Sequence, residues 1–248
     1  MIVAAIVSVM VRPYRTTAIS LSFQNAHLMT RSSEIDFPPV ETADEDGLLM
    51  LGGRLTTAWL LAAYRRGIFP WPLDDLPTTP TAWWCPDPRA VIEFDAFHIS
   101  QRLARTLRGD HFLVTLDRDF ESVVRQCALP RDDGGGVWLT EPLQQAYIEL
   151  HRQGFAHSVE VWQGDALAGG VYGVALGGYF SAESMFHRQR DASKVALVHL
   201  LRHLQARGFS LVDIQVLTEH TARMGAGEIP RAEFLDRLPD AMASDVCF

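Results

Sequence analysis

Asp213 and Gln215 sit two residues apart inside FSLVDIQV, a run otherwise carried by Phe209, Leu211, Val212, Ile214 and Val216. Such a dense apolar run reads as a buried strand. A carboxylate and an amide are costly in a dry strand unless something pairs with them. Side chains at i and i+2 of a strand share a face, so the two project together, opposite Val212 and Ile214. Glu183, in GYFSAESMF, ends a strand that the chain order places alongside. Two acids and an amide on one apolar cavity wall can manage the proton of an amine and hold a polarised carbonyl. A structural use is equally open: Asp213 bound to a backbone amide, and Glu183 paired with Arg188 or Lys194. No enzyme nucleophile stands out, since neither Ser184 nor a cysteine has a recognisable His partner.

The elements that must position these residues can be read from both directions along the chain. A helix over Arg54–Arg66 is capped by Thr56 or Thr57 and closed by Gly67. Trp71, Trp83 and Trp84 lie in a Pro-rich stretch, where such rings usually anchor a loop to a core. RAVIEF and HFLVTL read as strands, with a helix from Ser100 between them and DRDFESVVRQCAL as a helix after them. Asp132-Asp133-Gly134-Gly135-Gly136 is a break, without the spacing of a phosphate loop. Then come a helix from Thr140 to Gln153, the strand HSVEVWQ, the strand ALAGGVYGVAL and the strand GYFSAESMF, joined at the tips Gly164-Asp165 and Gly177-Gly178. A long amphipathic helix from Ser193 ends at Gly208 and leads into FSLVDIQV.

This β-β-β-α-β order returns the last strand parallel to the third through a right-handed crossover. It resembles the core of the GCN5-related N-acetyltransferase fold, in which acyl donors bind where the two parallel strands splay apart. The expected fold class is α+β. Residues 1–36 form an N-terminal extension, 37–132 a small α/β domain, and 133–248 an acetyltransferase-like catalytic domain.

Composition narrows the classes. The chain has 248 residues, is 48% hydrophobic and carries a formal charge of −8, so any contact with RNA needs a local basic patch. Three scattered cysteines, Cys85, Cys127 and Cys247, fit a reducing cytoplasm rather than a disulfide framework. Nine histidines show no metal-ligand spacing beyond His199 and His203, for which no third ligand is evident. The opening MIVAAIVSVMV is too short to span a bilayer and lacks a basic flank and a cleavage site. Residues 1–28 read as a dispensable tail or a misplaced start, with Met29 the working start.

Longer segments carry a more specific resemblance. GLLMLGGRLTTAWLLAAYRRGIFPW, WWCPDPRAVI, GVWLTEPLQQAYIELHRQGFAHSVEVW, GGVYGVALGGYFSAESMFHRQRDASKVAL and VDIQVLTEHTARMGAGEIPR run in order from Gly47 to Arg231. They resemble the bacterial leucyl/phenylalanyl-tRNA–protein transferases. The resemblance implies transfer of Leu or Phe, and less readily Met, from aminoacyl-tRNA to proteins with N-terminal Arg or Lys. The product is an N-degron, and no cofactor, metal or membrane is involved. It further implies that Asp213 orients or deprotonates the attacking amine. Gln215 holds Asp213 or the reacting groups in register, and Glu183 fixes the donor end or an amine. Trp138, Val171, Phe180 and Val212 match the family's apolar amino-acid pocket, with Val171 standing where Met is familiar. For the tRNA, Arg102, Arg105 and Arg108 form one candidate row, and Arg188, Arg190 and Lys194 a second cluster just after ESMF. The alternative is an acyl-CoA-dependent N-acyltransferase of the same fold, but HRQRDASK lacks the Gly-rich pyrophosphate turn such an enzyme needs. A non-catalytic RNA-binding module finds no support in charge or motif.

Overall fold

The structure, a computed structural model, describes residues 35–73, 80–130 and 139–248. Two antiparallel hairpins and one crossover form the centre of the larger of its two sheets. A small sheet has the order β1-β3-β2, from β1 (Leu48–Leu51), β2 (Phe69–Pro70) and β3 (Ala82–Trp84). Against it lies α1 (Thr57–Tyr64), whose first turn is closed by Thr56 Oγ1 accepting from the Trp59 N–H. Trp71, Trp83 and Trp84 are buried, and the two indole N–H groups of Trp83 and Trp84 donate to the carbonyls of Gly52 and Trp71. These tryptophans anchor the loop to the core, as expected of them.

The second sheet has seven strands among the described residues, in the order β10-β4-β9-β8-β7-β6-β5. They are β4 (Arg89–Ile92), β5 (Leu113–Leu116), β6 (Ala156–Gln163), β7 (Ala166–Leu176), β8 (Tyr179–His187), β9 (Leu211–Gln215) and β10 (Ala226–Ile229). The expected β-β-β-α-β unit is β6, β7, β8, the crossover helix α5 (Ala192–Arg207), and β9. Only β8 and β9 pair in parallel among the described strands. The fold is α+β. The sheet also takes in β4 and β5, from the stretch expected to form a separate domain at 37–132. Backbone pairing of β4 with β9 and of β5 with β6 thus joins the two stretches into one sheet.

Helices cover both faces. Beside the sheet lie α2 (Gln101–Arg108), α3 (Phe120–Cys127) and α4 (Glu141–Arg152), and α6 (Glu219–Ala222) and α7 (Arg231–Ala243) follow β9. Successive residues of β7 show the layering. A side chain on Gly169 would meet Ala192 of α5 at 2.7 Å, and one on Gly170 would meet Val123 of α3 at 3.1 Å. The period of two sends neighbouring residues to opposite faces, and here each face is already filled. No disulfide forms among the described residues. No helix among the described residues is long and apolar enough to cross a membrane. Residues 1–34, which include the expected dispensable tail, lie outside the described residues.

Candidate active site

The β8–β9 ladder runs through Tyr179↔Leu211, Phe180↔Val212 and Ser181↔Asp213 and then stops. Both strands are bulged at that point. On β8, Tyr172 and Gly173 of β7 oppose Ser184 and Ala182, which leaves Glu183 as the extra residue. On β9, Ala90 and Val91 of β4 oppose Gln215 and Asp213, which leaves Ile214 as the extra residue. Gln215 has φ of +62°, an unusual backbone for a non-glycine residue. Bulges bend a strand and re-aim its side chains. Here they end the pairing of the parallel strands beside the three candidate polar residues.

Asp213 is fully buried and faces Arg89, also fully buried. Arg89 Nε donates to Oδ1 at 2.8 Å and Nη2 to Oδ2 at 2.6 Å, a bidentate pair. Tyr179 Oη donates to Oδ2 at 2.8 Å, and the Gln215 backbone N–H donates to Oδ1 at 2.9 Å. These four bonds fill the acceptor sites of the carboxylate. Arg89 is itself held on all sides. Nη1 donates to the Gly67 carbonyl at 2.9 Å, and the guanidinium carbon lies 5.0 Å from the centre of the Phe69 ring and 4.5 Å from that of Phe234. Gly67 needs to be glycine twice over: φ is +71°, and a Cβ would lie 2.9 Å from Phe234 and Leu235. Burial is the largest single influence on Arg89 and works against its cation, yet the charge and hydrogen bonds of Asp213, with Tyr179 and Cys85 behind it, together raise its pKa.

Glu183 belongs to a second, charge-poor cluster. Ser181 Oγ lies 2.8 Å from Oε1, and Tyr147 Oη donates to Oε2 at 2.8 Å. The Tyr64 and Tyr147 hydroxyls are 2.9 Å apart. Burial pushes the Glu183 carboxyl up to about 7, although the hydroxyls of Ser181 and Tyr147, with Tyr64 behind Tyr147, pull it down. The phenols of Tyr64 and Tyr147 are raised well above their ordinary value, first by burial and then by the charge of Glu183. The Gln215 amide reaches Ser181 Oγ at 2.8 Å. Asp213 and Gln215 therefore do share a face, through Tyr179 and Ser181 of β8. The expected contacts differ in detail. Gln215 supports Asp213 through its backbone, not its amide, and Glu183 pairs with Ser181 and Tyr147 rather than with Arg188 or Lys194.

Val171, Phe180 and Val212 are buried on the other face. Phe180 packs against Phe209 and Phe248, with ring centres 6.3 and 5.8 Å away, while its neighbour Tyr179 packs against Phe234 of α7 at 6.3 Å. The apolar residues and the carboxylates thus stand on opposite sides of the sheet, separated by the point where β8 and β9 part. Trp138 lies outside the described residues. A cavity of about 360 Å³ opens elsewhere, at the β7–β8 turn, lined by Arg65, His157, Leu176, Met242, Val246 and Phe248 among others. None of the expected site residues lines it.

The profile of the leucyl/phenylalanyl-tRNA protein transferase family matches residues 91–239, and that of the family's N-terminal domain matches residues 53–87. The chain belongs to this family. Among its relatives are the leucyl/phenylalanyl-tRNA–protein transferases of Aromatoleum aromaticum (55% identical, over 80% of this chain and 84% of that one) and of Anaeromyxobacter sp. (53%, over 84% and 88%). The Pseudomonas aeruginosa transferase (strain LESB58) is 50% identical over 83% of this chain and 91% of its own. The enzyme is a transferase. Solved structures overlap it loosely. A GCN5-related N-acetyltransferase from Kribbella flavida has a TM-score of 0.36 at 10% identity over 69% of this chain and 60% of that one, and L-PGS from Bacillus licheniformis one of 0.37 at 13%, over 66% and 54%. Overlaps of that size carry no weight here, and the strand order stands on its own hydrogen bonds.

In this transferase the expected tRNA-contacting residues fare unevenly. Arg102 is exposed but paired with Asp191 at 2.7 Å, and Lys194 reaches the same carboxylate at 3.4 Å. Arg188 Nε donates to Gln126 Oε1 at 2.8 Å. Arg105, Arg108 and Arg190 are exposed, and none forms an ion pair with a described residue. Among the described residues no group of three or more His, Cys, Asp or Glu side chains could hold a metal ion. Arg89, Tyr179, Ser181, Tyr147 and Tyr64 were missed by sequence reasoning. Arg89 left a signal: a charged residue opening the apolar strand RAVI needs a buried partner as much as Asp213 does.

Proposed function

We propose that the protein transfers Leu or Phe, and less readily Met, from aminoacyl-tRNA to the α-amine of proteins that begin with Arg or Lys, marking them for degradation in the cytoplasm. The observation that carries this reading is the buried polar set at the parting of β8 and β9, in a chain of this family. The amine attacks the aminoacyl ester carbonyl directly. The ribose hydroxyl of the tRNA leaves with a proton, and the amine gives one up. The ester is already activated, so no cofactor, metal or enzyme nucleophile enters the step.

Asp213, with every acceptor site filled, acts as an orienting anchor and not as the base. It holds Arg89, Tyr179 and the backbone of Gln215 in place. Glu183, with a pKa of about 7, is the carboxyl suited to exchanging a proton at neutral pH while fixing the donor end or an amine. Gln215 bridges the two clusters. The aminoacyl side chain passes between β8 and β9 toward Val171, Phe180 and Val212, and an apolar wall there penalises polar side chains by desolvation. Arg188, Arg190 and Lys194, together with Arg102, Arg105 and Arg108, contact phosphates.

The acyl-CoA alternative is disfavoured by Asp191. Its carboxylate stands at the N-cap of α5, paired with Arg102 and Lys194, where a pyrophosphate would have to sit. The test is to mix the protein with radiolabelled Leu-tRNA and a protein beginning with Arg, and in parallel with acetyl-CoA. Label transfer from tRNA alone is expected. Transfer from acetyl-CoA alone ends the reading.

A further inference from the structure

The Gln215 carboxamide can sit in two ways. With Nε2 toward Ser181 it donates to Ser181 Oγ at 2.8 Å and reaches Glu183 Oε1 at 3.5 Å, and Oε1 then faces the carbonyl oxygens of Ile214 and Ala182. Turned over, Nε2 donates to Ile214 O at 2.8 Å and to Ala182 O at 3.2 Å, and Oε1 accepts from Ser181 Oγ at 2.8 Å. At a buried position the second arrangement satisfies the amide, whereas the first sets oxygen against oxygen.

Proton counting then reaches Glu183. A serine hydroxyl has one proton to give. In the second arrangement Ser181 gives it to Gln215. The 2.8 Å contact between Ser181 Oγ and Glu183 Oε1 therefore requires a proton on Glu183. Tyr147 gives its own proton to Glu183 Oε2, so Tyr64 must donate to Tyr147. Every group then donates in one sense, from Tyr64 through Tyr147, Glu183, Ser181 and Gln215 to the carbonyls at the two bulges. Chains aligned in this way reinforce one another. An ionised Glu183 breaks the chain: Ser181 turns its proton to the carboxylate, the Gln215 oxygen loses its donor, and the turned-over amide gains Ser181 Oγ and the Glu183 carboxylate as acceptors.

We propose that Ser181 is a positioning residue that makes the orientation of the Gln215 carboxamide depend on the proton carried by Glu183. Burial of Glu183, which brings its pKa to about 7, puts this change within the physiological range. The groups that face Glu183 are Tyr64 from α1, Tyr147 from α4, Tyr172 from β7 and Asp213 from β9, and Asp213 is in turn paired with Arg89 from β4. None of the three phenols ionises near neutrality, because burial raises each of them. The effect on rate rests on the transferase reading, while the proton count does not.

The test is NMR of the Gln215 side-chain amide from roughly pH 5 to roughly pH 9, spanning the ordinary ranges of carboxylates and imidazoles. The wild-type resonances are expected to shift with a midpoint at about 7. The titration disappears in Glu183→Gln, shrinks in Ser181→Ala to the direct influence of Glu183 at 3.5 Å, and keeps its size in Ser181→Thr, which keeps the hydroxyl. A flat wild-type titration, or one of undiminished size in Ser181→Ala, overturns the proposal. So does loss of the midpoint in a folded Ser181→Thr protein. In single-turnover transfer from Leu-tRNA, Ser181→Ala lowers the rate by up to about 100-fold, the size of a small misplacement, with tRNA affinity nearly unchanged. A wild-type protein that transfers nothing from tRNA defeats the transferase reading and leaves the NMR outcome to stand by itself.

Discussion

Two carboxylates a few ångströms off the same pair of strands live in opposite circumstances. Asp213 is bound by a guanidinium, a phenol and a backbone N–H, and its charge is neutralised where it stands. Glu183 meets only hydroxyls and an amide, and burial lifts it toward neutrality. The difference teaches that burial alone does not decide what an acid can do. A buried acid with a cation becomes a fixed part of the frame, and one with neutral donors becomes a site for a proton.

The largest effect expected from breaking this contrast comes from Arg89. Arg89→Ala strands a buried carboxylate and costs about 3–5 kcal/mol of stability, read by denaturant unfolding. Asp213→Ala strands the guanidinium and falls in the same range.

The next effect is a pH dependence from Glu183. Its folded pKa lies above the ordinary 4.5, so the folded state holds a proton that the unfolded state has lost. The stability from this group is fully present below pH 4.5 and is lost as pH rises through about 7. The loss is roughly 3 kcal/mol at most. Thermal melts of wild type and Glu183→Gln, compared across that window, give the slope as a difference, and parallel curves would remove Glu183 from it.

Tyr147→Phe sharpens the contrast from the other side. It removes a donor to Glu183 and costs about 1–3 kcal/mol. That donor pulls the Glu183 pKa down, so its loss sends the midpoint upward. The smallest effect belongs to an exposed pair: Arg102→Ala, which breaks the bridge to Asp191, costs less than about 1 kcal/mol. If Arg105, Arg108 and Arg190 meet phosphates, replacing one of them lowers the salt slope of tRNA binding by about 1.

Much of the frame was legible in the sequence. Caps and glycines placed α1 and the ends of α4 and α5, and paired glycine tips gave the hairpins of β6, β7 and β8. The shared face of Asp213 and Gln215 followed from their spacing, and Glu183 from the strand order. The rest escaped for physical reasons. Arg89 lies 124 positions before Asp213 in the chain, and Tyr147 lies 36 before Glu183, so only the folded sheet brings them together. The bulges at Glu183 and Ile214 carry no glycine or proline signal, and a positive φ at Gln215 is not written in its residue type. The sheet's use of β4 and β5 was hidden because a long-range pairing leaves no local pattern. Alternation already set Val212 opposite the acids, and the register of the sheet adds Phe180 and Val171 to that other face.

The central proposal is that Glu183 is a carboxyl that exchanges a proton at this site. A carbon-13 NMR titration of carboxyl groups, with Glu183 assigned from the signal missing in Glu183→Gln, tests it most directly. A Glu183 midpoint at about 7 is the predicted result, and a midpoint near the ordinary 4.5 would contradict it.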